Sequence, residues 1–551
     1  TDIVRGDNRD KSGINNDFLC IKGRYAFDFG DHKDRLRHPL LRKDGKLRPA
    51  TWDEAYEYAA RRLREIRDSK GGKAIGVIGS NRSTNEENYL LQKFARTVLG
   101  TNNIDHQRTA DFAAFARAVA GKSNITASMS DVASAPAILL IGNDPTEQHP
   151  LLAWNIRTNV RLNHAKLYVV NSQPIKLRRQ AAKFLQVPAG REGKFAAFLG
   201  GDDAAAGSLT SATVTNDALK QLREELCGLS NLIVIFGSEV RGSDIAPLVK
   251  FASSINARLI CLGDYANSRG AADMGLYPDL LPGYVAASAA QKFSEEWGKL
   301  PAEKGLSLAE MKQAIKDRRL AAVVLVGPDM EDPDLLRVLL ENIEVELIQL
   351  SHYVDQMAND AFVETSGPSV LLPIATAYEK AGTFTNTCGD LQLLKKAGDV
   401  AGVRSEFEII VRLAEAMGAD VHKLVPFGGG LRADMGQSRG AQSGEADRHA
   451  VWLSANGLEP RLSPFDPMAI LDEIQRLVPG YDFSRLSLFA GSDEHTRAAE
   501  MSNAGAAGGP AEITPAHDTL FTSGALGRYS TILNSVAENR GTPADQEVMA
   551  D

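Results

Sequence analysis

The chain has 551 residues, with 62 basic and 70 acidic side chains, a formal net charge of −8 and a pI near 5.8. This balance argues against nucleic-acid binding through overall charge, because phosphate neutralisation needs clustered lysine and arginine. The length predicts about three or four domains. No apolar run reaches the roughly 18 residues of a membrane span, and the polar first residues are not those of a signal peptide.

The first 50 residues carry an excess of basic side chains and a turn signal. Asp44-Gly45, within RKDGKLR, predicts a tight hairpin turn. We therefore predict a small β-rich module over residues 1–50.

Several helices are predicted by their start signals. A Ser or Thr followed three residues later by Glu forms a capping box, which satisfies free N–H groups at a helix start. The pattern precedes apolar helical stripes at Thr51 and Glu54, at Thr84 and Glu87, and at Ser405 and Glu408. Asp466-Pro467 predicts one more helix start.

Short continuous runs of Val, Ile and Leu alternate with these helices. They cover residues 74–80, 137–145, 167–174, 232–238, 258–264 and 322–329. Such runs are typical of strands buried on both faces, so the fold class predicted is α/β with doubly wound parallel sheets. Ligands bind such sheets at the carboxyl ends of the strands. There the side chains Asn143, Asn171, Ser238 and Asn267 could cradle a nucleotide phosphate, or the cleft could be filled by side chains and water.

Common catalytic motifs are missing from the sequence. It has no Gly-x-Gly-x-x-Gly dinucleotide turn, phosphate-binding loop, His-Glu-x-x-His, Gly-x-Ser-x-Gly or Cys-x-x-Cys. We interpret His106 as a capping or packing histidine. A chain of this length without such a motif is expected to act as a scaffold whose chemistry lies elsewhere.

Four cysteines are too few for a disulfide scaffold and indicate a reducing compartment. Cys20 is a candidate thiolate ligand beside Lys22, Arg24 and Arg48, because cations lower a thiol pKa. The alternative is a buried cysteine that acts as a small hydrophobe. We predict structural roles for the remaining cysteines. Cys227 and Cys261 are expected to be buried and to fill space in the core, and Cys388 is expected in a loop, where it could be exposed.

Several segments, in order, resemble the molybdopterin oxidoreductase superfamily, which includes formate dehydrogenases and periplasmic nitrate reductases. They are Cys-Ile-Lys-Gly-Arg from Cys20, Pro-Leu-Leu-Arg-Lys-Asp-Gly from Pro39, Trp-Asp-Glu-Ala from Trp52, and the segments 83–106, 267–275 and 378–397. The resemblance covers roughly residues 1–420. It implies that Cys20 is the fourth ligand of a 4Fe–4S cluster and that Lys22 lies between this cluster and the pterin cleft.

Details within the superfamily favour a member without molybdenum. A formate dehydrogenase carries Cys or selenocysteine directly after Asn-x-Asp-His, whereas this chain has Gln107 and Arg108, and its nearest acid, Asp111, stands at another offset. About 30 residues follow Asp518, fewer than the roughly 100 that a cofactor-gripping C-terminal barrel needs. We therefore expect the molybdenum cofactor to be absent.

The segments 149–171 and 520–536 resemble the large peripheral-arm subunit (the G subunit) of bacterial NADH:quinone oxidoreductase, respiratory complex I. This implies a subunit of a proton-translocating oxidoreductase that supports iron–sulfur electron transfer from NADH towards quinone, while this segment alone is not expected to be catalytic. It also implies partners among the other peripheral-arm subunits, which hold it at the cytoplasmic face of the inner membrane. The other cluster cysteines are expected upstream of residue 1. The alternatives are a molybdenum- or tungsten-dependent formate dehydrogenase-like catalytic subunit and an assembly scaffold without a cluster.

The predicted domain organisation is nested. It consists of a cluster-supporting module (1–50), a first α/β domain (51–130 with 336–420), an inserted second α/β domain (131–335) and an irregular C-terminal segment (421–551). Within the last of these, 428–446 and 491–512 are expected to be flexible, since they are rich in Gly, Ala and Ser.

Overall fold

The computed structural model describes residues 3–7, 14–15, 18–211, 213–327, 332–354, 368–425, 467–484, 487–488, 494–501, 512–516, 519 and 524–538. The described strands are β1 Leu40–Lys43, β2 Lys46–Pro49, β3 Ile75–Gly79, β4 Ile104–His106, β5 Ala137–Ile141, β6 Lys166–Asn171, β7 Lys183–Gln186, β8 Leu232–Phe236, β9 Arg258–Cys261, β10 Leu280–Leu281, β11 Val285–Ala286, β12 Ala322–Val326, β13 Glu346–Ser351, β14 Val370–Pro373, β15 Gly382–Thr385, β16 Asp390–Leu394 and β17 Glu494–His495.

The described α-helices are α1 Ile21–Tyr25, α2 Trp52–Lys70, α3 Asn85–Phe94, α4 Phe112–Val119, α5 Met129–Ser134, α6 Pro145–Gln148, α7 Pro150–Asn163, α8 Glu192–Leu199, α9 Asn216–Cys227, α10 Ile245–Ser254, α11 Ser268–Asp273, α12 Gln291–Trp297, α13 Leu308–Lys316, α14 Pro333–Glu341, α15 Glu406–Ala416, α16 Val421–Leu424, α17 Met468–Leu477, α18 Gly524–Tyr529 and α19 Thr531–Glu538. None of them is both long and apolar enough to cross a membrane.

The first sheet has seven strands in the order β2-β1-β14-β13-β12-β3-β4. Strands β14 to β4 run parallel, and the β1–β2 hairpin adds antiparallel to β14. The hairpin turns at Asp44 and Gly45, with φ of 52° and 78°, as the Asp-Gly signal predicted. Strand β12 lies in this sheet, although the boundary drawn from the sequence placed it in the inserted domain 131–335.

The second sheet has five parallel strands in the order β7-β6-β5-β8-β9. Alternate residues of its strands enter two different cores: Ile138 and Leu140 join one apolar cluster, while Leu139 and Ile141 join the other. The first sheet is covered on both faces in the same way, with Val323 and Val324 in separate clusters. The α/β fold with doubly wound parallel sheets is confirmed.

The predicted helix starts are mostly confirmed. Reciprocal capping boxes form at Thr51 and at Thr84, whereas Ser405 accepts from the Glu408 N–H without the return bond. Pro467 directly precedes α17, while Asp466 lies outside the described residues, as does the stretch 428–446.

The prediction of flexibility for 491–512 is wrong for residues 494–501. Strand β17 pairs with β16, and Met501 and Thr496 are buried. Contacts with distant residues order this segment, and its composition gives no sign of them.

Candidate functional site

Cys20 occupies the N-cap position of α1 and is half-buried. Helix α1 buries none of its own residues. Of the cations predicted near the thiol, Arg24 lies 3.6 Å from an Asp7 carboxylate oxygen, and Arg48 is exposed on the edge strand β2. Cys20 therefore stands, half-buried, at the start of a short helix.

The other three cysteines belong to other elements than Cys20 and differ from it in burial. Cys227 is exposed at the end of α9, so its prediction as a buried filler is wrong; the buried stripe of that helix is Leu219, Leu222 and Leu226. Cys261 is buried, as predicted, and Cys388 is buried although its loop suggested exposure. Burial raises the pKa of both thiols. Within the described ranges, no three His, Cys, Asp or Glu side chains are placed to hold a metal ion.

The charge of Lys22, which belongs to the same module as Cys20, acts on a histidine of the second sheet. Burial lowers the pKa of the His149 imidazole to about 4, and the charge of Lys22 adds to the shift. His149 precedes α7, and its Nε2 lies 3.9 Å from a carboxylate oxygen of Asp264, which follows β9. Lys22 thus acts electrostatically on the carboxyl edge of the second sheet, and its role towards a cofactor stays a prediction.

The loop after β4 is bonded within the protein. His106 is buried, its Nδ1 lies 2.9 Å from the Leu276 carbonyl oxygen, and burial lowers its pKa to about 4, so it is the packing histidine that was predicted. Arg108 donates to both carboxylate oxygens of Asp105, at 3.1 and 2.9 Å, and its guanidinium lies 4.5 Å from the Tyr277 ring centroid.

Asp111, the first acid after His106, is also bonded within the protein. One oxygen of Asp111 accepts from the Ala114 N–H, and the other accepts from the Gly242 N–H, each at 3.0 Å. Its carboxylate therefore caps α4 and ties that helix to the loop before α10.

Most of the strand-end side chains considered for a phosphate cradle are buried and bonded inside the protein. Asn171 donates to the backbone oxygen of Asn143 at 3.0 Å, and Asn267 donates to that of Ser83 at 2.7 Å. Ser238 is half-buried. These bonds favour a cleft filled by side chains over a phosphate cradle.

Glu239 lies at the switch point of the second sheet, between β5 and β8, where the strand order reverses. This residue was not identified from the sequence. It follows β8, and its Oε1 accepts from the Asn143 N–H at 3.0 Å. A Cβ added at Gly142, whose φ is 63°, would lie 2.8 Å from this side chain. An anionic ligand at the crevice between β5 and β8, the usual site in such sheets, would have to displace the Glu239 carboxyl group. An acid directly after a strand run was the only available signal.

Comparison with known proteins places this geometry in a family. The model of the molybdopterin oxidoreductases matches residues 35–416. A G subunit of the NADH-quinone oxidoreductase of Rhizobium meliloti is 29% identical over 70% of this chain and 47% of its own length. The F420-dependent formate dehydrogenase subunit alpha of Methanocaldococcus jannaschii is 30% identical over 74% of this chain and 65% of its own. The chain thus spans between about half and two thirds of these relatives. The family match extends over more than half of the sequence and agrees with the two doubly wound sheets, so the chain belongs to the molybdopterin oxidoreductase family.

Proposed function

We propose that the chain is part of a peripheral-arm subunit of an NADH:quinone oxidoreductase, in which it supports iron–sulfur electron transfer and has a degenerate molybdenum site. The observation that carries the proposal is the loop after β4. Among the described residues there, Gln107 is neutral, Arg108 is paired, and both oxygens of Asp111 are used by backbone N–H groups. Molybdenum and tungsten need a thiolate, selenolate or carboxylate at this point.

The crevice supports the same conclusion. The Glu239 carboxyl group lies at the switch point of the second sheet, where a nucleotide-bearing cofactor would place phosphate. The residues present therefore do not fit the molybdenum cofactor of the family.

Cys20 is proposed to supply one thiolate of a 4Fe–4S cluster, with the other ligands outside the described residues. Its half-buried place at a helix start, near Lys22 and Arg24 in sequence, suits a thiolate. Such a cluster transfers single electrons. The chain's own contribution is to fix one ligand and to exclude a second redox site from the crevice.

The partners proposed are the other peripheral-arm subunits. Attachment to the cytoplasmic face of a bacterial inner membrane would come through them. The name of the Rhizobium meliloti relative supports this assembly.

A second candidate is a molybdenum- or tungsten-dependent formate dehydrogenase-like catalytic subunit, which the Methanocaldococcus jannaschii relative favours. Elemental analysis of the full-length protein in its native complex separates the two. We expect iron and acid-labile sulfide with only traces of molybdenum and tungsten. One molybdenum or tungsten per chain would overturn the proposal and support the second candidate.

The role of Cys20 is tested in the same complex. Cys20→Ser is expected to weaken one iron–sulfur signal in electron paramagnetic resonance spectra while the complex still assembles. Cys227→Ser, at the exposed cysteine, is the matched control and should leave every signal unchanged. An unaltered spectrum in Cys20→Ser would contradict the assignment.

A further inference from the structure

A short segment from late in the chain crosses the crevice between the carboxyl edges of the two sheets. We name residues 512–516 the strap. On the side of the first sheet, the Thr514 N–H donates to the Arg108 carbonyl oxygen at 2.8 Å, and its carbonyl oxygen lies 3.4 Å from Nε2 of Gln107. Lys312, on α13, lies 3.3 Å from the Glu512 carboxylate. The strap therefore binds the loop at which the family is expected to place its metal ligand.

The other end of the strap is held by the second sheet. The Ala516 N–H donates to Oδ2 of Asp264 at 2.9 Å, and the Ala516 carbonyl oxygen accepts from Nε2 of Gln148 at 3.1 Å. Asp264 follows β9, and Gln148 ends α6, which follows β5. Two apolar side chains of the strap, Ile513 and Ala516, are 7% and 5% exposed. The strap thus bridges both sheets and buries the side chains of Ile513 and Ala516.

These contacts have a simple physical logic. Buried polar groups need hydrogen-bond partners. In a crevice without a ligand, the side chains of Gln107, Gln148 and Asp264 need partners from the protein itself. The peptide groups of the strap supply donors and acceptors to all three. Because the strap belongs to the same chain, it binds at a high effective concentration and needs no free ligand.

We infer that residues 512–516 are a built-in occupant of the crevice, which links the carboxyl edges of the two sheets in place of a cofactor. The inference rests on the proposed function, since a degenerate cofactor site leaves this space to be filled. The strap holds the two sheets in a fixed relation through these hydrogen bonds. Its action is structural and involves no reaction.

Hydrogen–deuterium exchange of the full-length protein tests the inference. The amides of Thr514 and Ala516 are expected to exchange slowly in the wild type. Asp264→Ala removes the acceptor of the Ala516 N–H, and exchange in peptides covering 512–516 should become about tenfold faster or more, as expected when a hydrogen bond to a charged group is lost. Asp264→Asn keeps an acceptor oxygen and should preserve most of the protection.

Two further variants keep the test decisive. Gln148→Leu removes the donor to the Ala516 carbonyl oxygen and should also speed exchange of the strap, which covers the case in which Asp264→Ala fails to fold. Asp203→Ala breaks an exposed ion pair with Arg223 on the second domain and should leave strap exchange unchanged.

Two outcomes would overturn the inference: wild-type exchange at the rate of an unstructured peptide, or equal strap exchange in the wild type, Asp264→Ala and Gln148→Leu. Failure of the proposed function is seen separately in the metal analysis. If the protein is free of molybdenum and the strap exchanges fast, only the inference about the strap is refuted. Molybdenum-loaded protein refutes the proposed function whatever the exchange rates are.

Discussion

Lys380 donates from Nζ to both carboxylate oxygens of Glu406 at 2.8 Å, and to Oε2 of Glu87 at 2.7 Å. All three side chains are at most 3% exposed. Because one ammonium cannot neutralise two buried carboxylates, the cluster retains a proton. Burial and the neighbouring Glu87 raise the pKa of Glu406 to about 8. For Glu87, burial acts in the same direction, but the charge of Lys380 and the hydrogen bonds to the carboxylate together outweigh it and lower the pKa.

The first prediction concerns the pH dependence of stability. Glu406 binds its proton more tightly in the folded protein than in the unfolded chain, so the free energy of unfolding should fall as pH rises towards 8 and level off above it. The slope from this group is at most about 1.4 kcal/mol per pH unit. Glu86, whose pKa burial raises to about 7, adds to the fall below that pH. Glu406→Gln should reduce the slope between pH 6.5 and 8 in urea unfolding.

A control is available on the same helix. Glu415 is exposed on α15, and Glu415→Gln should keep the wild-type slope. If Glu406→Gln also keeps that slope, the retained proton resides on another group and the prediction fails.

The second prediction concerns the end of the described chain. Asp28 accepts from Ser530 Oγ at 2.5 Å, from Thr531 Oγ1 at 2.8 Å and from the Ile532 N–H at 3.0 Å, so it caps α19 from a distant part of the sequence. Asp28 belongs to the same module as Cys20. The contacts therefore fasten α19 to the region that carries the proposed cluster ligand.

Asp28→Ala should destabilise α19 locally by about 0.5–2 kcal/mol, the usual cost of losing a helix cap. Hydrogen–deuterium exchange of residues 531–538 measures the effect, and the amides near the start of the helix should respond most. Asp31→Ala, at an exposed acid of the same module, serves as the control and should not change exchange there. Equal exchange in Asp28→Ala and the wild type would show that Asp28 does not cap this helix.

The parts of the fold that depend on local sequence were predictable. Capping boxes at Thr51 and Thr84, the Asp44-Gly45 turn and the continuous apolar strand runs each depend on residues a few positions apart. The interpretation of His106 as a capping or packing histidine was also confirmed. Because these signals are local, the fold class could be predicted without knowledge of the tertiary contacts.

The rest depends on contacts between distant residues. Membership of β12 in the first sheet requires the pairing of Val323 with Gly76, which no local pattern encodes. The bond between Ala516 and Asp264 joins residues 252 positions apart, so the strap could not be anticipated from composition. The prediction for Cys227 rested on the usual burial of cysteine and failed, because this residue stands beside the buried stripe of α9 rather than within it.

The third prediction uses the four cysteine side chains, none of which forms a disulfide. Alkylation needs an accessible thiolate, and burial both blocks the reagent and raises the thiol pKa. We expect Cys227, which is exposed, to react first with iodoacetamide in the native protein, and Cys261 and Cys388 to react only on unfolding. Mass spectrometry of timed digests gives each rate, and labelling in concentrated guanidinium, where all four should react, is the control. Rapid native labelling of Cys388 would show that its loop opens and that its burial does not persist in solution.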